Sequence, residues 1–188
     1  MIVLDLSKSA TRTTILEQIE AHCDDLQKKF VVEVMDNAII PDKHHHDLAE
    51  IMQTIDALTC NPEIKRSLAG VYTILATAEA AAHHTTVDQA HFHEVGQAAG
   101  IQNALKICTT FFALGSTAAS DGLIHATPVQ TGSGTVMCAH GEMSIPTPAT
   151  AHILEAYAIP VQETTLPGEL CTPTSAAILA QFVAAFDA

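Results

Sequence analysis

The sequence predicts a single domain of the α/β or α+β class, a mixed sheet of short strands with packed helices. Three observations carry that expectation. Amphipathic helical stripes alternate along the chain with short β-branched runs. At 188 residues and 48% hydrophobic content, the chain can bury a core as one domain or two small ones, and no internal repeat or linker divides it. Charged residues are only 15%, too few for a disordered tail.

The elements follow in order. Ile2–Leu6 is a short apolar run ending in a Ser/Thr-rich turn, which reads as a buried strand. Thr14 with Glu17 offers a capping box for a helix through about Leu26. Phe30–Val34, short and β-branched, reads as a second strand. Pro41 opens a polar loop carrying His44, His45 and His46. A helix starts at Asp47, with Glu50 three residues on and Leu48, Ile51, Met52, Ile55 and Leu58 along one face. Asn61-Pro62 restarts the chain as a cap followed by proline at the first helical position. Ile64, Leu68, Val71, Tyr72 and Leu75 give that helix its stripe, and it runs alanine-rich to about Ala82. The two helices are expected to pack as an antiparallel pair, the second closed by His83-His84 where the dipole tolerates positive charge.

Ala90–Gly96 reads as extended. Gly100–Leu114 is helical, with Ile101, Leu105, Cys108 and Phe112 on the core side and Gly115 as a stop. Leu123–Thr127 is a strand closed by Pro128, and Gln130–Pro148, rich in Gly, Ser, Thr and Pro, reads as strand, turn and loop. Thr147-Pro148 begins a helix through about Tyr157, Ile159–Glu163 is a final strand, and Thr172-Pro173 begins the last helix, burying Ile178, Leu179, Phe182 and Val183.

Composition narrows the function. A net charge of −13 argues against binding nucleic-acid phosphates and favours the approach of cations. Histidine occurs 11 times, the usage that points most directly to metal. The cysteines (Cys23, Cys60, Cys108, Cys138 and Cys171) are scattered, odd in number and form no CxxC pair, which suits a reducing compartment. Met1-Ile2-Val3-Leu4-Asp5 lacks a basic region, so it does not read as a secretory signal. No apolar run approaches the roughly 18 residues a membrane span needs. A cytoplasmic protein without membrane or nucleic-acid partners is expected.

The densest chemistry lies at His91-Phe92-His93-Glu94. If extended, His91 and His93 point to one side, roughly 6.5–7 Å apart along the chain. Cys138-Ala139-His140-Gly141 repeats the spacing. One thiolate and three imidazoles would suit Zn²⁺, Ni²⁺ or Cu²⁺ better than Mg²⁺ or Ca²⁺. Read separately, the pairs are equally well explained as strand-face or core residues. His44, His45 and His46, flanked by Asp42 and Asp47, read as a divalent-metal collector or as a solvated loop. Thr131-Gly132-Ser133-Gly134-Thr135 can cradle a phosphate with its amides, or simply turn; it lacks the lysine and spacing of a P-loop. Glu94 and Glu142 are candidate acids or partners orienting a histidine. Nucleophile-elbow, dinucleotide-fingerprint and His-Glu-x-x-His patterns are missing from the sequence.

Taken together, several of these motifs resemble the LarC family. They are His91-Phe92-His93-Glu94-Val95-Gly96, the segment Thr127–Thr150 with its glycine loop, Cys138-Ala139-His140-Gly141 and Ile145-Pro146-Thr147-Pro148, and then Gly168-Glu169-Leu170-Cys171-Thr172-Pro173. They recur in the family's order over roughly residues 42–186. The resemblance implies a nickel insertion protein that acts on a pyridinium bisthiocarboxylic acid mononucleotide to make the nickel-pincer cofactor of lactate racemase. It implies His91, His93 and His140 as core nickel ligands with Cys138 as a fourth, Glu94 and Asp5 behind them, and His44–His46 collecting metal. Gly132, Ser133 and Gly134 would face phosphate. In the family, CTP handling belongs to a C-terminal domain. Residues 1–188 resemble only the N-terminal one, so the expectation is a nickel-binding domain that is not catalytic alone and works with a separately encoded domain or partner.

Two departures sharpen that expectation. Ser7-Lys8-Ser9-Ala10-Thr11-Arg12 stands where the family has a glycine-rich acidic loop, and Ala99 and Asn103 stand where it has aspartates. Histidines kept while acids are lost favour binding over complete catalysis. The alternatives are a non-catalytic paralogue acting through protein–protein contact, and a zinc-dependent hydrolase with Glu94 as base. The apolar content also leaves room for a homo-oligomer interface.

Overall fold

The computed structural model describes residues 1–138, 141–162 and 166–187, with Glu94 described by its backbone alone. The chain opens with strand β1 (Ile2–Leu4) and helices α1 (Arg12–Ala21), α2 (Asp25–Asn37), α3 (Leu48–Ala57), α4 (Pro62–Ala82) and α5 (Ala98–Ala113). Strands β2 (Ile124–Ala126), β3 (Val129–Gln130), β4 (Gly132–Ser133), β5 (Thr135–Cys138) and β6 (Gly141–Ser144) follow. Helix α6 (Pro148–Ala156), β7 (Val161–Gln162), β8 (Gly168–Glu169), α7 (Pro173–Phe182) and β9 (Val183–Phe186) complete the fold. This is the expected mixed class in one domain.

The central sheet is parallel, in the order β1-β2-β9. Residues Leu4, Ile124 and Ala126 are buried against the helices, while Val3 on the other face is exposed. Helix α4 is the hub, because its 21 residues are long enough to touch α3, α5, α6 and α7. Tyr72, in the middle of α4, is fully buried and meets Phe92 edge-on at 5.9 Å. Phe111 of α5 stacks on Phe182 of α7 at 4.2 Å, joining the middle of the chain to its last helix. Small pairings extend the sheet's C-terminal side: β3 with β7, β4 with β8, and the hairpin β5–β6. Among the described residues, no helix is long and apolar enough to cross a membrane.

Six expectations need correction. Thr11, not Thr14, caps α1: its hydroxyl accepts from the Thr14 amide. The helix stops at Ala21 because Asp24 starts a new one, and Leu26 is left exposed. Phe30–Val34 is helical, inside α2. Its start is sealed by Asp24 and Gln27 in a reciprocal capping box, and Phe30 packs on Phe112 at 5.9 Å, so capping and tertiary contact override β propensity. Ala90–Gly96 is extended only at first, since Glu94–Gly96 closes into a 3-10 turn. The strand predicted over 159–163 narrows to β7, and Glu163 lies outside the described residues. Val183 ends α7 and opens β9, a strand the sequence reading missed by assigning Val183 to the helix.

Candidate functional site

A cavity of about 330 Å³ opens where α1, α6 and α7 begin, α4 ends and the β5–β6 hairpin folds over. That size falls at the lower end of small-molecule sites. Its walls are built by ordinary local rules. Thr147-Pro148 and Thr172-Pro173 are cap-plus-proline starts, so α6 and α7 both begin at the cavity. The Thr172 hydroxyl accepts from the Ser175 amide, and the Ser175 hydroxyl accepts from the Thr172 amide. The Ala10 amide donates to the Leu170 carbonyl, and the Leu170 amide to the Thr131 carbonyl. Those bonds tie the residues before α1 to those before α7.

The polar lining includes Arg12 from α1, Glu79 from α4, His83 at its C-cap, Cys138 from β5 and Glu169 from β8. His83 Nε2 stands 3.6 Å from Glu79 Oε2, an ion pair when the imidazole is protonated. The half-buried Cys138 thiol donates to the Gly141 carbonyl at 3.4 Å, a bond that a metal would replace by taking the thiolate. Val95, Val136 and Met143 supply apolar wall. Tyr72 supports it from below: its hydroxyl donates to the Val95 carbonyl at 3.1 Å. Burial pushes that phenol well above its usual range, with the Arg12 charge acting in the opposite direction.

The two histidine segments, far apart in sequence, lie side by side. The Phe92 amide donates to the His46 carbonyl and the His45 amide to the Gly96 carbonyl, both at 2.8 Å. His44 Nε2 donates to the His93 carbonyl at 2.8 Å, which leaves Nδ1 with its lone pair. The His44 and His46 rings are 4.5 Å apart, centroid to centroid. His91 and His93 are exposed on either side of buried Phe92, the alternation expected of an extended stretch.

His45 differs from its neighbours. It is fully buried, with Nδ1 donating to the Gly96 carbonyl at 3.3 Å and Nε2 accepting from the Thr54 hydroxyl at 2.8 Å. Both ring nitrogens are therefore engaged, and His45 acts as a clasp between the two segments.

The remaining predicted residues are placed as follows. His140 and the Glu94 side chain lie outside the described residues. Among the described residues, no group of three or more His, Cys, Asp or Glu side chains is arranged to hold a metal ion. The Gly132 amide donates to Gln130 Oε1, and the Ser133 hydroxyl donates to the Leu166 carbonyl. Gly132 and Ser133 form β4 against β8. Asp5 accepts from the Ser7 amide and hydroxyl, which hold its carboxyl below the usual carboxylate range. Glu142 accepts from the Thr135 hydroxyl across the hairpin. Sequence reasoning missed Arg12, Glu79, His83 and Glu169 as cavity residues. His83 was visible only as a helix end, Arg12 and Glu169 only as members of longer segments, and none of the four as part of a cavity.

Comparison with known proteins adds the family. The family model described as nickel insertion protein matches residues 5–188. A putative nickel insertion protein of Methanosarcina barkeri is 34% identical over 94% of this chain and 46% of its own length. The pyridinium-3,5-bisthiocarboxylic acid mononucleotide nickel insertion protein of Akkermansia muciniphila is 36% identical over 73% of this chain and 32% of its own. A putative nickel insertion protein of Roseiflexus castenholzii is 38% identical over 77% of this chain and 35% of its own. The chain thus spans between about a third and a half of the length of these curated relatives. No solved structure matches it.

Proposed function

We propose, from the premise that this chain belongs to the nickel insertion protein family, that it holds nickel beside a pyridinium mononucleotide in the cavity at the start of α6 and α7. The observation that carries the proposal is a single cavity lined by a thiol, an imidazole and carboxylates, Cys138, His83, Glu79 and Glu169, which nickel would have to draw together because among the described residues no three of them already stand in ligand geometry. Thiolate and imidazole are donors that suit Ni²⁺, with Zn²⁺ as a competitor. The relatives' printed names supply the other reactant, the pyridinium-3,5-bisthiocarboxylic acid mononucleotide.

In this reading Cys138 and His140 are the hairpin's ligands. His44, His46, His91 and His93 form a ridge of imidazoles that gathers divalent cations from solvent. Val95, three residues before α5, links that ridge to the cavity wall. The acidic surface, net −13, favours cation arrival. The nucleotide-driven step implied by the LarC resemblance belongs to a further domain or a partner chain.

Calorimetric titration of the apo-protein with Ni²⁺ and Zn²⁺ tests the site. Loss of even an orienting partner costs roughly 10–100-fold in metal affinity. Cys138→Ser should therefore weaken tight Ni²⁺ binding by at least about tenfold, with fewer protons released on binding. Replacing His91 and His93 together by alanine should remove the weaker uptake phase. Unchanged Ni²⁺ affinity in Cys138→Ser would refute the cavity assignment.

A further inference from the structure

Resting on that reading, we propose that Arg12 is the cavity's phosphate anchor, the group that makes a pyridinium mononucleotide bind where the corresponding riboside does not. Among the described residues, Arg12 is the one lysine or arginine lining the cavity. Among the described residues its guanidinium has no ion pair and no side-chain hydrogen bond, although Glu79 and Glu169 line the same space. In a chain of net charge −13 with eight Lys and Arg, a half-buried arginine without an anionic partner is conspicuous.

A partly desolvated guanidinium without an acceptor is unfavourable, and its planar fork fits a phosphate or a carboxylate through two parallel N–H···O bonds; since the carboxylates that share its cavity do not pair with it, a ligand phosphate is the acceptor left. Position supports the same assignment. Arg12 is the first residue of α1, held by the Thr11 cap and by the Ala10–Leu170 bond. Its charge acts on Tyr72, whose hydroxyl is fixed by the Val95 carbonyl at the cavity wall. The N-terminal ends of α6 and α7 add partial positive charge to the same wall.

The other cavity groups suit the rest of the ligand. Val95, Val136, Met143 and Pro148 offer an apolar surface for a flat pyridinium ring, with the Met143 thioether a favourable aromatic neighbour. Cys138, His83, Glu79 and Glu169 are donor types for a cation, and the two carboxylates would repel a phosphate. Arg12 is thus what allows one cavity to take a dianion and a dication together.

The test uses the chain as it stands, titrated by calorimetry with nicotinate mononucleotide and with nicotinate riboside, which lacks the phosphate. The parent should prefer the mononucleotide. Because a hydrogen-bonded charge contributes about 1.5–3 kcal/mol, Arg12→Gln should weaken mononucleotide binding about ten- to hundredfold. Riboside binding should stay within about twofold of the parent, since it has no phosphate for Arg12 to hold. Arg12→Lys, which keeps the charge but not the fork, should fall between.

Equal affinity of the parent for both ligands, no mononucleotide binding by the parent, or an equal loss for both ligands in Arg12→Gln would overturn the proposal. If Arg12→Gln does not fold, Arg12→Lys decides: a reduced phosphate preference supports the anchor and an unchanged one refutes it. The Ni²⁺ titration of Cys138→Ser reads the metal proposal separately. A nickel effect there with no Arg12 effect on the mononucleotide would refute the phosphate anchor alone.

Discussion

Gly132→Ala probes how tightly the cavity's floor is built. Gly132 sits at φ +81°, and a Cβ added there would lie 1.8 Å from the Gly168 carbonyl oxygen and 3.0 Å from its carbon. Both contacts are backbone, on the β4–β8 pairing that leads into the start of α7. Two effects add. An L-residue in the left-handed region costs about 1–2 kcal/mol. Forcing an atom into a packed contact adds about 1–3 kcal/mol. The sum is about 2–5 kcal/mol, a large share of the stability of an ordinary domain. Gly134 provides the control: its φ is +98°, but nothing lies within 4 Å of its added Cβ. Gly134→Ala should therefore show the conformational cost alone, about 1–2 kcal/mol. Urea unfolding followed by far-UV circular dichroism measures both. Below the unfolding range, Gly132→Ala should also weaken Ni²⁺ binding, because 168–172 must shift to relieve the contact. Equal destabilisation of the two variants would show that β4 and β8 have slack, and the description of the cavity floor as rigid would be wrong.

Two further predictions concern side chains. His45→Ala should destabilise the chain by about 2–3 kcal/mol, because it removes a fully buried ring and leaves the Thr54 hydroxyl without its partner in the core, while the Gly96 carbonyl keeps the His45 amide. His46→Ala, at an exposed ring, should stay within about 0.5 kcal/mol; similar denaturation midpoints for both would contradict the clasp. Thiol labelling with peptide mapping should find Cys138 fastest, Cys60 slower and Cys108 and Cys171 inert in the native chain. Burial raises the Cys60 thiol, pushes Cys171 up to about 12 and Cys108 higher still, and the thiolate is the reactive form. Early labelling of Cys171 would show that the α7 start opens.

Helices announced by a cap residue were legible in the sequence, with a proline after it in all but the first: α3, α4, α6 and α7 begin where Asp47, Asn61, Thr147 and Thr172 place them. Local hydrogen bonding decides such starts, so local reading suffices. The misread segments are those that distant contacts decide. Phe30–Val34 has strand composition, but Phe112, some 80 positions away, gives Phe30 its packing partner. β9 follows α7 without a turn signal and exists because β2 offers a free parallel edge. Neither partner is visible from within the segment.

The candidate site divides along the same line. Residue spacing identified Cys138 and the paired histidines, because period-two alternation is a local property. It also singled out the imidazoles as the chemistry of the 91–96 stretch, whereas the described inward-facing residues there are apolar: Phe92 packs under Tyr72, and Val95 lines the cavity. The cavity's charged groups come from three separate elements, α1, α4 with its cap, and β8, and nothing in any one window says that they share a cavity. Arg12 shows this most clearly. In sequence it closes the Ser7–Arg12 stretch, which against the LarC resemblance reads as a loss of acids. In the fold it puts a cation into a cavity that already holds carboxylates, a change in what the cavity can bind. The altered loop therefore bears on ligand charge, and the nucleotide titration, rather than metal binding alone, is where that difference should appear.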